Sequence, residues 1–334
     1  MNNAFIKAID YYLPKKILTN EELINDFPEW SVDKIAEKVG INKRHIATET
    51  ETSTDLAIEA GKKLFDQGID KECIDYLLFC TQSPDYFLPA SACVIQERLG
   101  LAKDIGAIDF NQGCSGFVYG LSLAKGLIFG NIAKNVLLLT AETYTKKLHL
   151  KDKGNRTIFG DGASATLIST EGFAEIGEFC LGTDGSGAEH LIIKTGAARN
   201  PEKTNKVEFD ENNNPVSPDY IFMNGSEIFS FTLGAVPELV KKTLEKNSIQ
   251  KEAVDLFIFH QANKYMLDFL RKKLKIEEEK FYIYLSEVGN TVSSTIPIAI
   301  CEAQKDGSIQ KNTNILLAGF GVGLSWAGCI LRLI

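Results

Sequence analysis

The stretch Asp109-Phe110-Asn111-Gln112-Gly113-Cys114-Ser115-Gly116-Phe117 decides the reading of this chain. The apolar run from Gly106 to Phe110 predicts a buried strand, and Phe117 to Ala124 a buried helix. Cys114 then stands at a strand-to-helix corner with glycines on either side. The positive end of a helix dipole favours the thiolate, which is the nucleophilic form of cysteine. The glycines leave room for a ligand to approach the backbone. On its own the corner is ordinary, because most cysteines near a helix start are core residues.

Outward from the corner, strands and helices alternate. Residues 4 to 12 predict a first strand, and 20 to 49 a charged helical region with Trp30 exposed. Thr52-Ser53-Thr54-Asp55 caps a helix from Leu56 to Phe65. A buried strand follows at Ile74 to Thr81, a loop at Pro84 to Pro89 and a helix at Ala90 to Leu99. Strands are expected at Asn135 to Thr140 and at Ala163 to Ser169, the second after a turn at Gly160-Asp161-Gly162. The C-terminal half repeats the plan. Lys62 to Asp75 resembles Lys242 to Asp255 at an offset of 180, and Asn135-Val136-Leu137-Leu138-Leu139 resembles Asn314-Ile315-Leu316-Leu317-Ala318 at 179. Two matches in order argue for an internal duplication. The expected architecture is α/β in two halves, 1–170 and 171–334, each with a mostly parallel sheet covered on both faces. The polar stretch 195 to 220 between them suits a surface excursion.

The duplication predicts where a site lies, because ligands of α/β layers sit beyond the carboxyl ends of strands. Strand Leu256 to Phe259 ends at His260-Gln261-Ala262-Asn263, and strand Phe281 to Leu285 leads to Gly289-Asn290-Thr291. The second of these loops is the repeat counterpart of the Cys114 corner. Cys114, His260 and Asn290 therefore fall on one face. Two chemistries fit them. Either His260 is a base held by Asn290 and water cleaves an acyl-enzyme, or both donate hydrogen bonds to a thioester oxygen as it becomes an enolate. Spacing alone does not separate the two.

Composition bounds the rest. The chain has 334 residues, 44% hydrophobic and 24% charged, enough for a large core. A net charge of −8 with no basic tract argues against nucleic acid. Nothing resembles a signal peptide or a membrane span, so a soluble, cytoplasmic protein is expected. The seven cysteines are scattered without a CxxC pair, which suggests neither metal nor disulfides, and six read as small buried residues. His45, His149 and His190 read as solvated, with a structural role open to His45. The tail Gly319 to Trp326 suits a glycine-bent strand as well as a binding role.

Taken together, Gly113-Cys114-Ser115-Gly116-Phe117, His260-Gln261-Ala262-Asn263, Gly289-Asn290-Thr291 and Gly321-Val322-Gly323 resemble β-ketoacyl-ACP synthase III of the thiolase superfamily. So do Gly40 to Ala47, Pro84 to Pro89 and Phe159-Gly160-Asp161-Gly162. The resemblance implies the five-layered αβαβα thiolase fold and a homodimer. It implies an acyltransferase in which Cys114 takes an acyl group from acyl-CoA, and malonyl-ACP then loses CO2 and condenses with it to give a 3-oxoacyl-ACP. His260 and Asn290 would hold the enolate, and the backbone N–H groups of Cys114 and Val322 the oxyanion. Trp30, Arg156, Asn263 and Phe229 would line the CoA entrance, and Phe87 and Leu88 would reach the partner's acyl pocket. Substrates are CoA and carrier-protein thioesters, with no cofactor.

Four positions depart from the family pattern. Lys38 stands where Arg is usual, Tyr265 where Arg is common, Ser230 where Lys is common, and Val322 in place of a Gly. Basic groups attract CoA phosphates and an acidic carrier. Their loss points to a specialised synthase, with a donor other than acetyl-CoA or a dedicated carrier. The alternatives are acyl transfer from Cys114 to a non-malonyl acceptor, and a cysteine thioesterase.

Overall fold

The two repeated segments make the same contacts. In the computed structural model, which describes residues 3–211 and 213–334, the Asp75 carboxylate accepts from the Asn135 backbone N–H at 2.9 Å, and Asp255 from that of Asn314 at 2.8 Å. Each Asp precedes a buried apolar strand, and each Asn opens that strand's parallel neighbour. Such continuous apolar runs suit strands covered on both faces.

In the large sheet the first five strands are β1 (Phe5–Tyr12), β2 (Tyr76–Cys80), β3 (Gly106–Phe110), β4 (Asn135–Glu142) and β5 (Gly162–Ser169). The last five are β6 (Ala174–Ile176), β7 (Leu256–Phe259), β8 (Phe281–Tyr282), β9 (Asn314–Gly321) and β10 (Ser325–Leu333). Their orders are β3-β2-β4-β5-β1 and β8-β7-β9-β10-β6, so the whole reads alike from either edge, with β1 and β6 paired at the centre. The strand Cys180–Thr183 adds to β10.

The sheets are mixed rather than mostly parallel. β3, β2 and β4 run parallel, but β5 lies antiparallel to both β4 and β1. A parallel pair needs a long crossover, usually a helix, whereas a strand that returns beside its predecessor runs antiparallel. β9 and β10 are joined by only Val322, Gly323 and Leu324.

The longer helices are α1 (Asn20–Asp26), α2 (Val32–Val39), α3 (Ser53–Asp66), α4 (Ser91–Leu99), α5 (Gly116–Phe129), α6 (Gly225–Lys246), α7 (Lys264–Leu274) and α8 (Thr295–Lys305). α3 and α4 cover one sheet, α6 and α7 the other, and α5 and α8 pack between them, giving five layers of thiolase type. Sequence decides the layer. α3 buries Leu56, Ala57, Ala60 and Leu64 and exposes Lys62 and Lys63, with the Thr52–Asp55 capping box at its start. α5 buries residues around most of its circumference, as a helix enclosed between two sheets must.

Several sequence expectations are corrected. Residues 20 to 49 break into α1, α2 and the strand Lys43–His45, because Phe27-Pro28 interrupts one helix and Gly40, at φ 73°, ends the next. Trp30 is half-buried, with the Lys34 and Lys38 ammoniums 5.4 and 5.3 Å from its ring centroid. The strand at Phe281 stops at Tyr282. Of the six cysteines besides Cys114, Cys93 is exposed and Cys73 and Cys180 are only partly buried, so three are buried rather than all six. His149 is packed edge-on against Tyr220, centroids 5.0 Å apart, rather than solvated. The excursion 195 to 220 lies on the surface, tied down by Asp219, which accepts from the Thr195 hydroxyl and the Thr204 and Asn205 N–H groups. Among the described residues no helix is long and apolar enough to cross a membrane, and no cluster of His, Cys, Asp or Glu could hold a metal ion.

Candidate active site

β3 delivers the chain to the turn at residues 111–115, and α5 carries it away, leaving Cys114 7% exposed at the corner. β9 passes directly against this corner. A Cβ on Gly321 would stand 2.8 Å from Cys114 Sγ, and one on Gly319 2.8 Å from Ser115 Cα. The tail glycines are therefore demanded by the approach of β9 to the cysteine.

Helix placement does not make this cysteine a resting thiolate. Burial pushes its thiol up to about 12; the Val322 and Cys114 backbone N–H groups pull the other way, and Glu142 adds to the rise. Desolvation outweighs the dipole, which corrects the sequence expectation. Iodoacetamide alkylation at Cys114 should thus accelerate about tenfold per pH unit with no plateau below about 12. Mass-spectrometric rates that level off near neutral pH would refute this.

His260, 2% exposed, follows β7. Its backbone N–H donates to Ala318 O at 2.8 Å, which fixes it beside β9. Its ring meets Phe320 edge-on at 5.8 Å, and Nδ1 lies 2.8 Å from the Thr295 hydroxyl at the start of α8. That hydroxyl also reaches Val292 O at 3.0 Å. When it donates to Nδ1 instead, Nε2 carries the ring hydrogen. Burial pushes the imidazole down to about 3, against the Val292 carbonyl, so the ring is neutral at physiological pH. With that pKa it is a poor general base and a good neutral hydrogen-bond donor.

Asn290, 4% exposed, follows Gly289, whose φ of 74° turns the chain. Its backbone N–H donates to Ile158 O at 2.9 Å, and its carbonyl accepts from Gly160 N–H at 3.0 Å. Its side-chain oxygen accepts from Val292 N–H at 2.9 Å, which fixes the amide orientation; the NH2 is 3.4 Å from Ala262 O. Val292 and β9 thus link His260 and Asn290 to the Cys114 corner.

Two buried acids support this region. Asp161, expected only to shape a turn, is fully buried and accepts from Ala47 N–H at 2.7 Å and from both the N–H and the hydroxyl of Thr145. Glu142 accepts from Gln82 N–H and the Ser83 hydroxyl, each at 2.8 Å. Burial, reinforced by Asp161, raises Glu142 from 4.5 to about 8. A carboxyl raised on folding contributes stability below its unfolded pKa and loses it as pH climbs through the folded one. Glu142→Gln should therefore gain in melting temperature over wild type as pH rises from 4.5 to 8. A difference that stays constant across that window would contradict it.

The remaining candidates lie around the rim. Arg156 stacks on Phe27 at 5.4 Å and pairs with Asp26 at 2.9 Å, near the half-buried Trp30. Asn263 caps α7, its oxygen accepting from Met266 N–H at 2.9 Å. Phe229 packs with Tyr265 and Phe269, centroids 5.6 and 5.4 Å away. Phe87 and Leu88 are 85% and 82% exposed. A cavity of about 570 Å³, lined by Ile158, Tyr220, Phe222 and Met223 among others, opens between the excursion and residues 149–158. Thr295, Gln82 and Tyr144 went unread in the sequence, where no motif marks them, and Phe320 was read only as part of the glycine-rich tail.

A two-sheet αβαβα fold with a cysteine at its first middle helix, and a buried histidine and an oriented asparagine on loops of the other half, is that of the thiolase-type acyl-transferring enzymes. The family model for 3-oxoacyl-[acyl-carrier-protein] synthase III matches residues 108–185, and that for its C-terminal region matches 244–333. A β-ketoacyl-[acyl-carrier-protein] synthase III of Clostridium perfringens is 40% identical over the full length of both chains. A crystal structure of a 3-oxoacyl-(acyl-carrier-protein) synthase III superposes with a TM-score of 0.97 at 46% identity, covering 99% of this chain and 100% of that one. A 3-oxoacyl-(acyl-carrier protein) synthase from Burkholderia xenovorans gives 0.91 at 36%, covering 99% and 94%. The chain belongs to the 3-oxoacyl-[acyl-carrier-protein] synthase III family of condensing acyltransferases.

Proposed function

We propose that this chain condenses an acyl-CoA primer with malonyl-ACP to give a 3-oxoacyl-ACP, with Cys114 as the acyl carrier. Cys114 Sγ attacks the thioester carbon and CoA leaves as its thiol. The N–H groups of Cys114 and Val322 receive the oxyanion, as their pull on the Cys114 sulfur supports. The malonyl thioester then loses CO2, and its oxygen takes hydrogen bonds from Asn290 Nδ2 and His260 Nε2. The enolate carbon attacks the acyl-cysteine, a C–C bond forms as the C–S bond breaks, and Cys114 leaves as a thiolate that takes up a proton from water to restore the resting thiol. Residues 1–170 supply the nucleophile and 171–334 the enolate donors.

The observation that carries this reading over hydrolysis is the buried, neutral His260, held down to about 3 with no carboxylate partner among the described residues. Water cleavage needs a base, whereas enolate stabilisation needs a donor. We read the cavity beside Ile158 as the way in for the thioester arm. The exposed Phe87 and Leu88 suit a homodimer, and the chain is expected to act in the cytoplasm. Tyr265 and Ser230 leave fewer cations for the usual carrier, which favours a dedicated one.

A single-turnover experiment tests the reading. Enzyme loaded with acetyl-CoA and freed of CoA is mixed with malonyl-ACP. Release of CO2 with formation of 3-oxoacyl-ACP is expected. An acyl-enzyme that decays in water at the same rate with or without malonyl-ACP would establish a thioesterase instead.

A further inference from the structure

We infer that the hydroxyls of Ser115 and Ser325 aim the Val322 N–H at Cys114, which makes the two serines positioning residues for acyl transfer; this deepens the condensing reading and rests on it.

The turn that carries Val322 gets little stiffness from its own backbone. Gly321 and Gly323 flank Val322 at φ 158° and 139°, where glycine alone moves freely. Only residues 322–324 join β9 to β10. The far side of the turn is fixed by main chain: Leu324 N–H donates to Asp184 O at 2.9 Å, and Leu324 O accepts from Asp184 N–H at 2.8 Å. On the side of the nucleophile a side chain does the holding. The Ser325 hydroxyl donates to Val322 O at 2.8 Å. With that carbonyl held, Val322 has less freedom to rotate, and its N–H stays on the Cys114 sulfur.

Ser325 is held in turn by the residue next to the nucleophile. Ser115 Oγ lies 2.8 Å from Ser325 Oγ. Because Ser325 commits its hydrogen to Val322 O, Ser115 is the donor of this bond. Ser115 occupies the N-cap of α5, where a serine hydroxyl ordinarily accepts from the first turn of its own helix. Here it makes no such cap and reaches a residue 210 positions away. Both serines are buried, at 0% and 1% exposure. The Gln112 side-chain oxygen, 3.4 Å from the Ser115 hydroxyl and 3.2 Å from that of Ser325, completes the cluster. Hydrogen bonds thus run from the neighbour of Cys114 through Ser325 to Val322. They tie together the two backbone donors of the oxyanion site, which come from opposite halves of the sequence.

The test is the rate of Cys114 acylation, read by intact-protein mass, with whichever of acetyl-, isobutyryl- and hexanoyl-CoA labels wild type fastest. Ser325→Ala should lower the saturating rate about tenfold, a part of the loss that follows outright removal of an oxyanion donor. The half-saturating concentration should stay within about twofold, because the oxyanion exists only in the transition state. Ser325→Thr, which restores the hydroxyl, should recover most of the rate. Ser115→Ala should lower it by less, and should add nothing in the Ser325→Ala background, since Ser115 acts through Ser325. Iodoacetamide alkylation at fixed pH should slow about threefold in Ser325→Ala, as the same N–H favours the thiolate. A wild-type saturating rate in folded Ser325→Ala, or no recovery in Ser325→Thr, overturns the positioning role and leaves the acyl-enzyme intact. If Ser325→Ala does not fold, a wild-type rate in Ser115→Ala overturns it equally. No labelling of wild type by any of the acyl-CoAs overturns the condensing reading and the positioning role together.

Discussion

Cys114→Ala is expected to yield no acyl adduct and to lower condensation by roughly 10⁴-fold or more, because no other nucleophile can replace it. Cys80, the nearest buried thiol, cannot substitute. It is fully buried, donates to Gln112 O at 3.1 Å, and is pushed well above the usual thiol range by burial and by Glu142. Alanine fits the site, since among the described residues Cys114 makes no side-chain hydrogen bond beyond those from the Val322 and Cys114 N–H groups, so the melting temperature should change little. The readout is intact mass after mixing with acetyl-CoA, beside 3-oxoacyl product formation. An adduct that persists in Cys114→Ala would move the nucleophile elsewhere and end the mechanism proposed above.

His260→Ala and Asn290→Ala should each lower malonyl decarboxylation by roughly 10²- to 10³-fold, the usual loss for one oxyanion donor. Acylation of Cys114 should fall far less, because its oxyanion is met by backbone groups that neither substitution removes. The double variant should lose less than the product of the two, as both donors serve one oxygen. Thr295→Val keeps the volume beside His260 but removes the hydroxyl at Nδ1. It should reproduce part of the His260 loss in the CO2 step alone. Stopped-flow acylation and CO2 release measured on the same preparations separate the steps. Equal losses in both would assign His260 to activating Cys114.

The fold was legible where chemistry repeats. Asp75 and Asp255 recur because each ties a strand to its parallel neighbour through the same backbone N–H, so a structural contact surfaces as a sequence match. The alternation of apolar strands with α3, α4 and α5 was legible for the same kind of reason. Strand direction was not. Whether Thr143 to Asp161 is a crossover or a return to an antiparallel strand depends on tertiary packing, and no local pattern encodes it. The glycine-bounded corner drew the eye to Cys114, and two loop motifs drew it to His260 and Asn290. What tunes them was hidden. Burial raises the Cys114 thiol and lowers the His260 imidazole, and burial belongs to the folded layers rather than to any motif. Ser115 and Ser325 stand 210 residues apart, and only the fold brings their hydroxyls together.

The palindromic strand order has a consequence for synthesis on the ribosome. β1 is made first, yet its partner β5 ends only at Ser169, so the first sheet waits for half the chain. Once β5 emerges, all five of its strands can pair. Its inner face and α5 nevertheless stay uncovered until β9 and β10 arrive, because α5 packs against both. At roughly 5–20 residues per second that interval lasts on the order of ten seconds. Through it the nascent half carrying Cys114 has its backbone hydrogen bonds but not its burial, and presents an apolar helix that a holdase chaperone or another nascent chain could engage.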